Sequence, residues 1–527
     1  MLRQASKILI ALGLSLSCAS YGEDLGQILG AASTQELAAI QEGRRAMLSS
    51  MLGKSSGPFV EAYVQGKWSE VLKHWGTEVA GTGFASSANG KALLGLILFA
   101  NGLETTGIEQ LFQVSQPAGV SPALLNEWKR AAPGSAPVWK QVQIKWDPEW
   151  TKTFGVAARV RATAQQLRSK EDLKTIEQMI TETVPDTAER AWLQWQLVTA
   201  LAIKGEVGEA AKMLGPLMKY KVNPVSDGLM NITAARLLYK RGYLDVAANY
   251  YNQVPKSSYY WFEAQEELGW IYIRQNKPED VLAQTNTFMV TDFGFLVGPE
   301  TYYLRGLAQL SICDYPNSVK TLMYFKDKFR GRAQQLIEVQ SKGPQSVDQL
   351  IQAMNHPDLK VETAGQVVSK LPRRVLRDEK IRQLSQGFAA LERETALVSK
   401  NFAAPAEKWL SEMLAGKLAS IKSMVGTRVQ ALATKELKEI DETLTRMQVL
   451  EVEVIQQVDS AAKRLAKTGS GKGLKPTAKK GQTGSRSKDS LTFKTKANEV
   501  WFDELANYRV NVKQFCANGG SENEKAN

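Results

Sequence analysis

The chain has few of the side chains that hold metals or form cross-links. Among its 527 residues there are only two histidines, His74 and His356, and three cysteines, Cys18, Cys313 and Cys516. The histidines are far apart and neither belongs to a cluster of cysteines and carboxylates at ligand spacing, so we expect no metal site and no cofactor. A disulfide between Cys313 and Cys516 would be allowed in an oxidising compartment. Because Cys313 lies in a predicted tight turn and Cys516 near the C-terminus, two isolated thiols are favoured.

Long apolar runs are also missing. No stretch of the sequence reaches the roughly 18 apolar residues that a membrane-spanning helix needs. Residues 1–22 instead resemble a signal peptide, because Arg3 and Lys7 accompany a short apolar run, Ile8–Leu16, that is followed by small residues. The sequence therefore predicts a periplasmic protein without a transmembrane segment. Lipid anchoring at Cys18, which follows a sequence loosely similar to a lipidation box, is the less favoured alternative.

The net charge of +12 is concentrated in one short segment. Residues 467–490 are rich in Lys, Gly and Ser, and they cannot bury enough apolar surface to order themselves. We expect a disordered, solvated loop there. Murein or another anionic surface is a candidate partner for residues 467–489, whereas nucleic acid is not expected for an exported chain.

A helical repeat is present between residues 153 and 335. Its turn residues, Gly205, Gly242, Asn276 and Cys313, are 37, 34 and 37 positions apart, a period typical of stacked helix-turn-helix units. Small residues recur seven positions before each turn and five positions after it, where the two helices of a hairpin would approach closely. These residues are Val198, Ala235, Gly269 and Gly306 before the turns, and Ala210, Ala247, Val281 and Ser318 after them.

The same pattern predicts two degenerate repeats in the N-terminal helical region, residues 23–116. Their turn residues are Gly66 and Gly102, and the second has Gly95 seven positions before and Gly107 five positions after. An irregular all-helical domain is the alternative for both repeat regions.

These repeats resemble the tetratricopeptide repeat, in which small residues in both helices flank a glycine near the turn. The resemblance implies an all-α, TPR-like solenoid of helical hairpins, with a groove lined by the first helix of each hairpin. Aromatic and arginine side chains on that face are typical anchors of protein interfaces, although they can also simply fill the space between helices. In this register the candidate partner-binding residues are Trp192, Trp195, Arg236, Tyr239, Trp270, Arg274 and Tyr303.

A connector rich in Pro and Trp, residues 117–152, separates the two repeat regions. Within it Val138–Trp146 alternates apolar and polar residues, as a strand does, but no partner strand is evident. We therefore expect an extended crossing that packs Trp139, Trp146 and Trp150 onto neighbouring helices.

Long, coiled-coil-like helices are predicted for residues 336–466, where apolar residues recur at steps of three and four. Changes of phase between Leu432 and Leu437, and between Met447 and Leu450, indicate two or three helices rather than one uniform rod. Pairing within the chain and pairing between chains both remain open. The C-terminal segment, residues 491–527, carries large apolar groups on too short a segment to fold alone, so it is expected to dock.

Catalytic motifs are absent in convincing form. Residues Gly53–Gly57 match the string of a nucleophile elbow, but no strand precedes them as that motif requires. The carboxylate pairs Glu266–Glu267 and Glu392/Glu394 are interpreted as ordinary helix-surface charges. We expect no enzymatic activity.

The combination of export signal, repeats and aromatic C-terminus is similar to periplasmic tetratricopeptide-repeat proteins of envelope-spanning machines. These include gliding-motility complexes, and the residues that carry the likeness at the C-terminus are Trp501–Tyr508. The resemblance implies a protein–protein interaction scaffold of the cell envelope. The alternative is a peptidoglycan-binding adaptor or a non-catalytic subunit of a cell-wall enzyme.

Overall fold

The protein is all-α over the part of the chain that its computed structural model describes, namely residues 34–163, 173–289, 294–356, 369–402 and 404–467. Every regular element in these ranges is helical, which confirms the predicted fold class. None of these helices is both long and apolar enough to cross a bilayer. The predicted signal peptide, Cys18, the loop after Lys467 and the C-terminal segment lie outside the described residues.

The helices are numbered here in chain order. Their bounds are α1 Thr34–Leu52, α2 Pro58–Gln65, α3 Trp68–His74, α4 Gly83–Ser86, α5 Ala88–Ala100, α6 Glu104–Leu111, α7 Pro122–Ala131, α8 Glu149–Thr163, α9 Leu173–Glu182, α10 Ala188–Lys204, α11 Val207–Leu217, α12 Asp227–Lys240, α13 Leu244–Asn252, α14 Trp261–Arg274, α15 Pro278–Phe288, α16 Glu300–Ser311, α17 Tyr315–Lys342, α18 Val347–Asn355, α19 Glu379–Asn401 and α20 Ala406–Lys467.

These helices form two compact units. Within the described ranges, the first unit contains the residues up to Gly205, Lys219–Pro224 and Glu379–Val425. The second contains Glu206–Met218, Val225–Asp378 and the residues from Gly426 onward. The predicted turn at Gly205 therefore lies at the unit boundary, with α10 in the first unit and α11 in the second.

The first unit contains the two degenerate hairpins predicted for residues 23–116. Helices α2 and α3 pack together across Gly66, and α5 and α6 pack across Gly102. Both turn glycines have positive φ, at 73° and 83°. A Cβ on Gly95 would lie 2.6 Å from the carbonyl oxygen of Gly107, so α5 and α6 meet where the sequence places two small residues.

An aromatic cluster fills the core of the first unit beside this hairpin. Residues 142–147 have no regular secondary structure and form no strand, as expected for the connector. Trp139 and Trp150 are buried, and the ring centroid of Phe112 lies 5.1 Å from that of Trp146 and 5.0 Å from that of Trp150. The tryptophans thus pack onto neighbouring helices and make the irregular crossing part of the core.

The second unit contains a row of helices, α11 to α17, in which each helix packs against the next. The first helices of successive hairpins also meet, α12 with α14 and α14 with α16. The turn residues Gly242, Asn276 and Cys313 have φ of 84°, 54° and 59°, so the left-handed turn is kept even where glycine is replaced. This contact between neighbouring helices is what a stacked-hairpin solenoid requires.

Cys313 corrects one expectation. It is disulfide-bonded, and the prediction of two isolated thiols is therefore wrong for this residue. The other cysteines of the chain, Cys18 and Cys516, lie outside the described residues.

Helix α20 corrects another expectation. It is a single helix of 62 residues that continues through both predicted changes of phase. Beyond Val425 its buried positions continue at steps of three and four, but Glu436 and Thr443, at 5% and 1% exposure, stand where apolar residues were expected. Leu437 is only half-buried, whereas its neighbour Glu436 is buried. The apolar pattern alone includes Leu437 and omits Glu436, and this difference of one position appears in the sequence as a change of phase. The buried side chains of α20 pack against other helices of the same chain. Leu450, for example, lies against Gly306 of α16.

Candidate partner-binding face and charged cavity

Five of the seven predicted groove residues lie on one face of the second unit, across α12, α14 and α16. The guanidinium of Arg274 lies over the ring of Tyr239, 4.9 Å from its centroid. The ring centroids of Trp270 and Tyr303 are 6.0 Å apart. Arg236, the fifth residue, donates to Glu267 with Nε 2.8 Å from Oε2. We call these five residues the aromatic–arginine face.

Helical spacing explains why the face is continuous. On α14, residues 266 and 267 both lie three or four positions from residues 263 and 270, and residue 274 follows four positions later, so all five lie on one side of the helix. On α12 and α16, the pairs 236/239 and 300/303 share the same spacing. Because α14 packs against both neighbours, the three stripes adjoin.

The other two predicted residues are placed differently. Trp195 is 1% exposed in the first unit and is inaccessible to a partner. Trp192 is half-buried and packs against an apolar cluster that includes Val160 and Leu193. Both belong to α10, which lies outside the second unit, so we leave them out of the face. For these two residues the alternative interpretation, filling space between helices, describes the geometry.

A buried charge cluster continues the α14 stripe. Glu263 forms ion pairs with arginines on two sides. Arg374 and Arg377 come from the segment before α19, and Arg236 comes from α12. Burial alone would raise the pKa of the Glu263 carboxyl, but the surrounding guanidinium groups outweigh it and hold the pKa at about 2. Glu263 is therefore ionised and fixed.

Arg373 joins α14 to α20. Its side chain is 8% exposed, with Nη1 3.3 Å from Oε2 of Glu266 and Nη2 2.8 Å from Oε2 of Glu439. Its backbone N–H donates to Glu436 Oε2 at 2.7 Å. Glu436 also accepts from Arg332 Nε at 2.8 Å. A row of carboxylates on α20 is thus held against α14 and α17 by arginines, within one unit.

Glu266 differs from the other carboxylates because one of its oxygens has no partner. The residue is 6% exposed, and no donor lies within hydrogen-bond distance of its Oε1. Burial raises the pKa of the Glu266 carboxyl to about 7 against the opposing effect of Arg373, and Glu300, Glu263 and Glu267 add to the rise. The interpretation of Glu266 as an ordinary surface charge is wrong.

The same correction applies to Glu394 in the first unit. It is 4% exposed and accepts hydrogen bonds at the N-terminus of α6, from the Thr105 N–H at 2.6 Å and the Thr106 hydroxyl at 2.6 Å. Burial raises the pKa of its carboxyl to about 7 despite these hydrogen bonds. A carboxylate from α19 therefore caps a helix nearly 300 positions earlier in the chain, and this role is structural.

A cavity of about 150 Å³ adjoins the face in the second unit. Its wall on the hairpin side comes from α14 and the start of α16, and its opposite wall from α20 and the arginines before α19. The lining residues are Glu263, Glu266, Glu267, Pro299, Glu300, Arg373, Arg374, Glu439, Glu442, Thr443 and Arg446. The face and the cavity share α14, and Trp270 donates to Glu300 at the cavity wall, with Nε1 3.3 Å from Oε2.

Sequence reasoning missed this cavity because its partners are distant in sequence. Glu266 and Arg373 are separated by 107 positions, and Glu263 and Arg377 by 114. The sequence does contain one signal: Glu263, Glu266 and Glu267 lie on the same helical stripe as the predicted groove residues Trp270 and Arg274. Extending that stripe by two turns would have included them.

No protein-family model matches the chain, and no curated protein matches it in sequence.

Proposed function

We propose that this protein is a non-enzymatic scaffold or adaptor of a bacterial cell-envelope complex that binds other proteins through the aromatic–arginine face. The observation that carries the proposal is the continuity of that face over α12, α14 and α16. Five aromatic and arginine side chains from three separate helices come together there, with Arg274 over Tyr239 and Trp270 beside Tyr303. Such side chains are the ones that most often anchor protein interfaces.

Accessibility of the face supports this use. Arg274 is exposed, the side chain of Arg236 is 42% exposed, and Tyr239, Trp270 and Tyr303 are half-buried. Half-buried aromatic rings held by their neighbours lose little conformational freedom when a partner covers them. The face is therefore preorganised for binding, with arginines at its exposed edge.

A periplasmic location is part of the proposal. The signal-peptide pattern of residues 1–22 supports it, and so does the disulfide of Cys313, since disulfides persist mainly in oxidising compartments. The likeness to tetratricopeptide-repeat proteins of envelope machines makes gliding-motility complexes one setting of interest. The alternative of wall binding depends on residues 467–489, which lie outside the described part of the chain except for Lys467 at the end of α20.

The experiment is crosslinking and affinity capture of the tagged full-length chain from its native envelope, with partners identified by mass spectrometry. Trp270→Ala combined with Arg274→Ala should abolish capture of a defined protein set. Tyr243→Ala is the matched control, because Tyr243 is an aromatic residue that is 55% exposed and lies outside the face. Circular dichroism checks that each variant is folded. Unchanged capture by a folded double variant, or capture of murein fragments alone, would reject the proposal.

A further inference from the structure

The disulfide of Cys313 has only two candidate partners. The bond lies within one chain, and the sequence contains three cysteines, so Cys313 is bonded either to Cys18 or to Cys516. Cys313 is the turn residue between α16 and α17, with φ of 59°, and it is partly exposed. The bond therefore fastens a segment near one chain terminus to the last hairpin of the row α11 to α17.

Cys18 is a poor partner in an exported protein. Removal of the predicted signal peptide, residues 1–22, removes Cys18 with it. If Cys18 is instead the site of lipid anchoring, its sulfur carries the lipid and cannot form a disulfide. Both predicted fates of Cys18 leave Cys516 as the partner. This step rests on export, which is part of the proposed function.

An exposed apolar strip lies on the two helices next to this turn. Val319 and Met323 on α17 are 39% and 61% exposed, and Ile455 and Val458 on α20 are 61% and 47% exposed. We call these four residues the apolar strip. Apolar side chains that adjoin on a surface mark a place where another segment or another protein binds.

Ion pairs show how α17 and α20 run beside each other. Lys326 Nζ of α17 lies 3.0 Å from Glu451 Oε2 of α20. Further along α17, Arg332 pairs with Glu436, which lies earlier on α20. The two helices are therefore antiparallel, and the part of α17 nearest Cys313 lies beside the part of α20 that follows Glu451.

Helical spacing joins the two halves of the apolar strip. The two strip residues of α17 precede Lys326 by seven and three positions, and those of α20 follow Glu451 by four and seven. Residues at these spacings lie on one side of a helix. Each half of the strip therefore shares a side with the charged residue that reaches across to the other helix, and the strip leads from that ion pair towards Cys313.

The C-terminal segment has the composition and the reach to cover the strip. Residues 468–499 connect it to the end of α20, and so many residues can span roughly 100 Å when extended. A bond from Cys516 to Cys313 places the end of the segment within two helical turns of Val319. The large apolar residues of the segment are Val500, Trp501, Phe502, Leu505, Tyr508, Val510, Val512 and Phe515.

We infer that Cys313 forms its disulfide with Cys516 and that this bond holds residues 500–515 against the apolar strip. When the bond forms, the two thiols lose two protons and two electrons. The oxidant is the disulfide of a thiol–disulfide oxidoreductase in the same compartment, which is reduced to a dithiol. The docked segment covers the last helix of the row, where stacked repeats need a cap against solvent.

The pairing is tested by peptide mapping of the tagged chain purified from its native envelope, with free thiols blocked and no reductant present. Trypsin should yield residues 306–320 linked to residues 514–525, a pair that separates on reduction. In Cys516→Ser, residues 306–320 should be recovered unlinked, with Cys313 blocked. A free Cys313 in the wild type, or its linkage to Cys18 or to a second chain, would overturn the pairing. Linkage to Cys18 would also contradict removal of the signal peptide.

Docking is tested by hydrogen exchange followed by mass spectrometry. The amides of residues 500–515 should exchange about tenfold or more slowly than those of an unstructured chain. Met323→Asp should abolish this protection, because docking would bury a charge without a partner. Met323 is mostly exposed, so this variant should fold, and circular dichroism checks it. Val246→Asp is the matched control, since Val246 is 46% exposed on α13 of the same unit; it should leave the protection unchanged.

The two parts of the inference fail separately. Rapid exchange of residues 500–515 in the wild type, or protection that survives Met323→Asp in a folded chain, rejects docking even if mapping finds the disulfide. If Met323→Asp removes capture of a protein while residues 500–515 exchange rapidly, that protein covers the strip and the docking part is wrong. The proposed function is tested independently, by capture through the aromatic–arginine face.

Discussion

Alanine at Gly107 should destabilise the first unit, although alanine is normally the better helix former. A Cβ there would lie 2.5 Å from the Gly95 carbonyl oxygen and 2.8 Å from the Phe99 nitrogen, whereas ordinary contact begins at 3.4 Å. Both obstacles are backbone atoms, so α5 and α6 would have to separate by roughly an ångström. Overpacking costs about 1–3 kcal/mol, and the upper part of that range, about 2–3 kcal/mol, applies here because the obstacles are backbone atoms; the helix propensity of alanine returns about 1 kcal/mol. We expect a net loss of about 1–2 kcal/mol.

The assay is differential scanning calorimetry with a matched glycine as control. Gly416 lies in the part of α20 that belongs to the first unit, and a Cβ there would meet no atom within 4 Å. Gly416→Ala should therefore stabilise the unit by about 0.5–1 kcal/mol. At roughly 2–4 °C per kcal/mol for a unit of this size, Gly107→Ala should lower Tm by about 2–8 °C while Gly416→Ala raises it. If Gly107→Ala raises Tm as well, α5 and α6 do not meet at that point and the predicted hairpin is wrong.

Four further outcomes follow from buried charges and from the disulfide. Glu394→Ala should lower stability by about 1–3 kcal/mol, measured by chemical denaturation, because it leaves the N-terminus of α6 uncapped and buried. Arg332→Met should lower the free energy of unfolding by about 3–5 kcal/mol, because the buried Glu436 carboxylate loses its charged partner. In a double-mutant cycle, adding Glu436→Leu should restore much of that stability. The pKa of Glu263 is lowered from 4.5 to about 2, so its contribution is complete above pH 4.5 and is lost as pH falls towards 2; Glu263→Gln should flatten the acid limb of the stability curve. Peptide mapping without reductant should find Cys313 in a disulfide, and recovery of Cys313 as a free thiol would contradict it.

Local features of the second unit could be predicted from the sequence because they depend on residues close together in the chain. A left-handed turn between two helices requires a residue that tolerates positive φ, and the positions at Gly242, Asn276 and Cys313 were found from spacing alone. The small residues of the last hairpin also meet as expected, with the Ser318 hydroxyl 3.4 Å from the Gly306 carbonyl oxygen.

Buried charges could not be predicted in the same way. Whether a glutamate lies on the surface depends on what covers it, and Glu266 and Glu394 are covered by residues that are distant in sequence. The same limit explains α20, where Glu436 takes an interior position because Arg332 and the backbone of Arg373 satisfy it. A periodicity that counts only apolar residues omits Glu436 and takes the neighbouring Leu437 instead, so its phase changes by one position.

The aromatic cluster of the first unit gives this protein an intrinsic optical reporter. Trp139 lies with its ring centroid 5.8 Å from that of Trp146, and Phe112 contacts both. Rings held at such distances in fixed orientations couple electronically and give strong near-ultraviolet circular dichroism. This signal depends on side-chain order rather than on helix content. Loss of tertiary order around these rings should therefore weaken the near-ultraviolet signal, to which Trp270 and Tyr303 of the second unit also contribute, while far-ultraviolet dichroism reports the helix content.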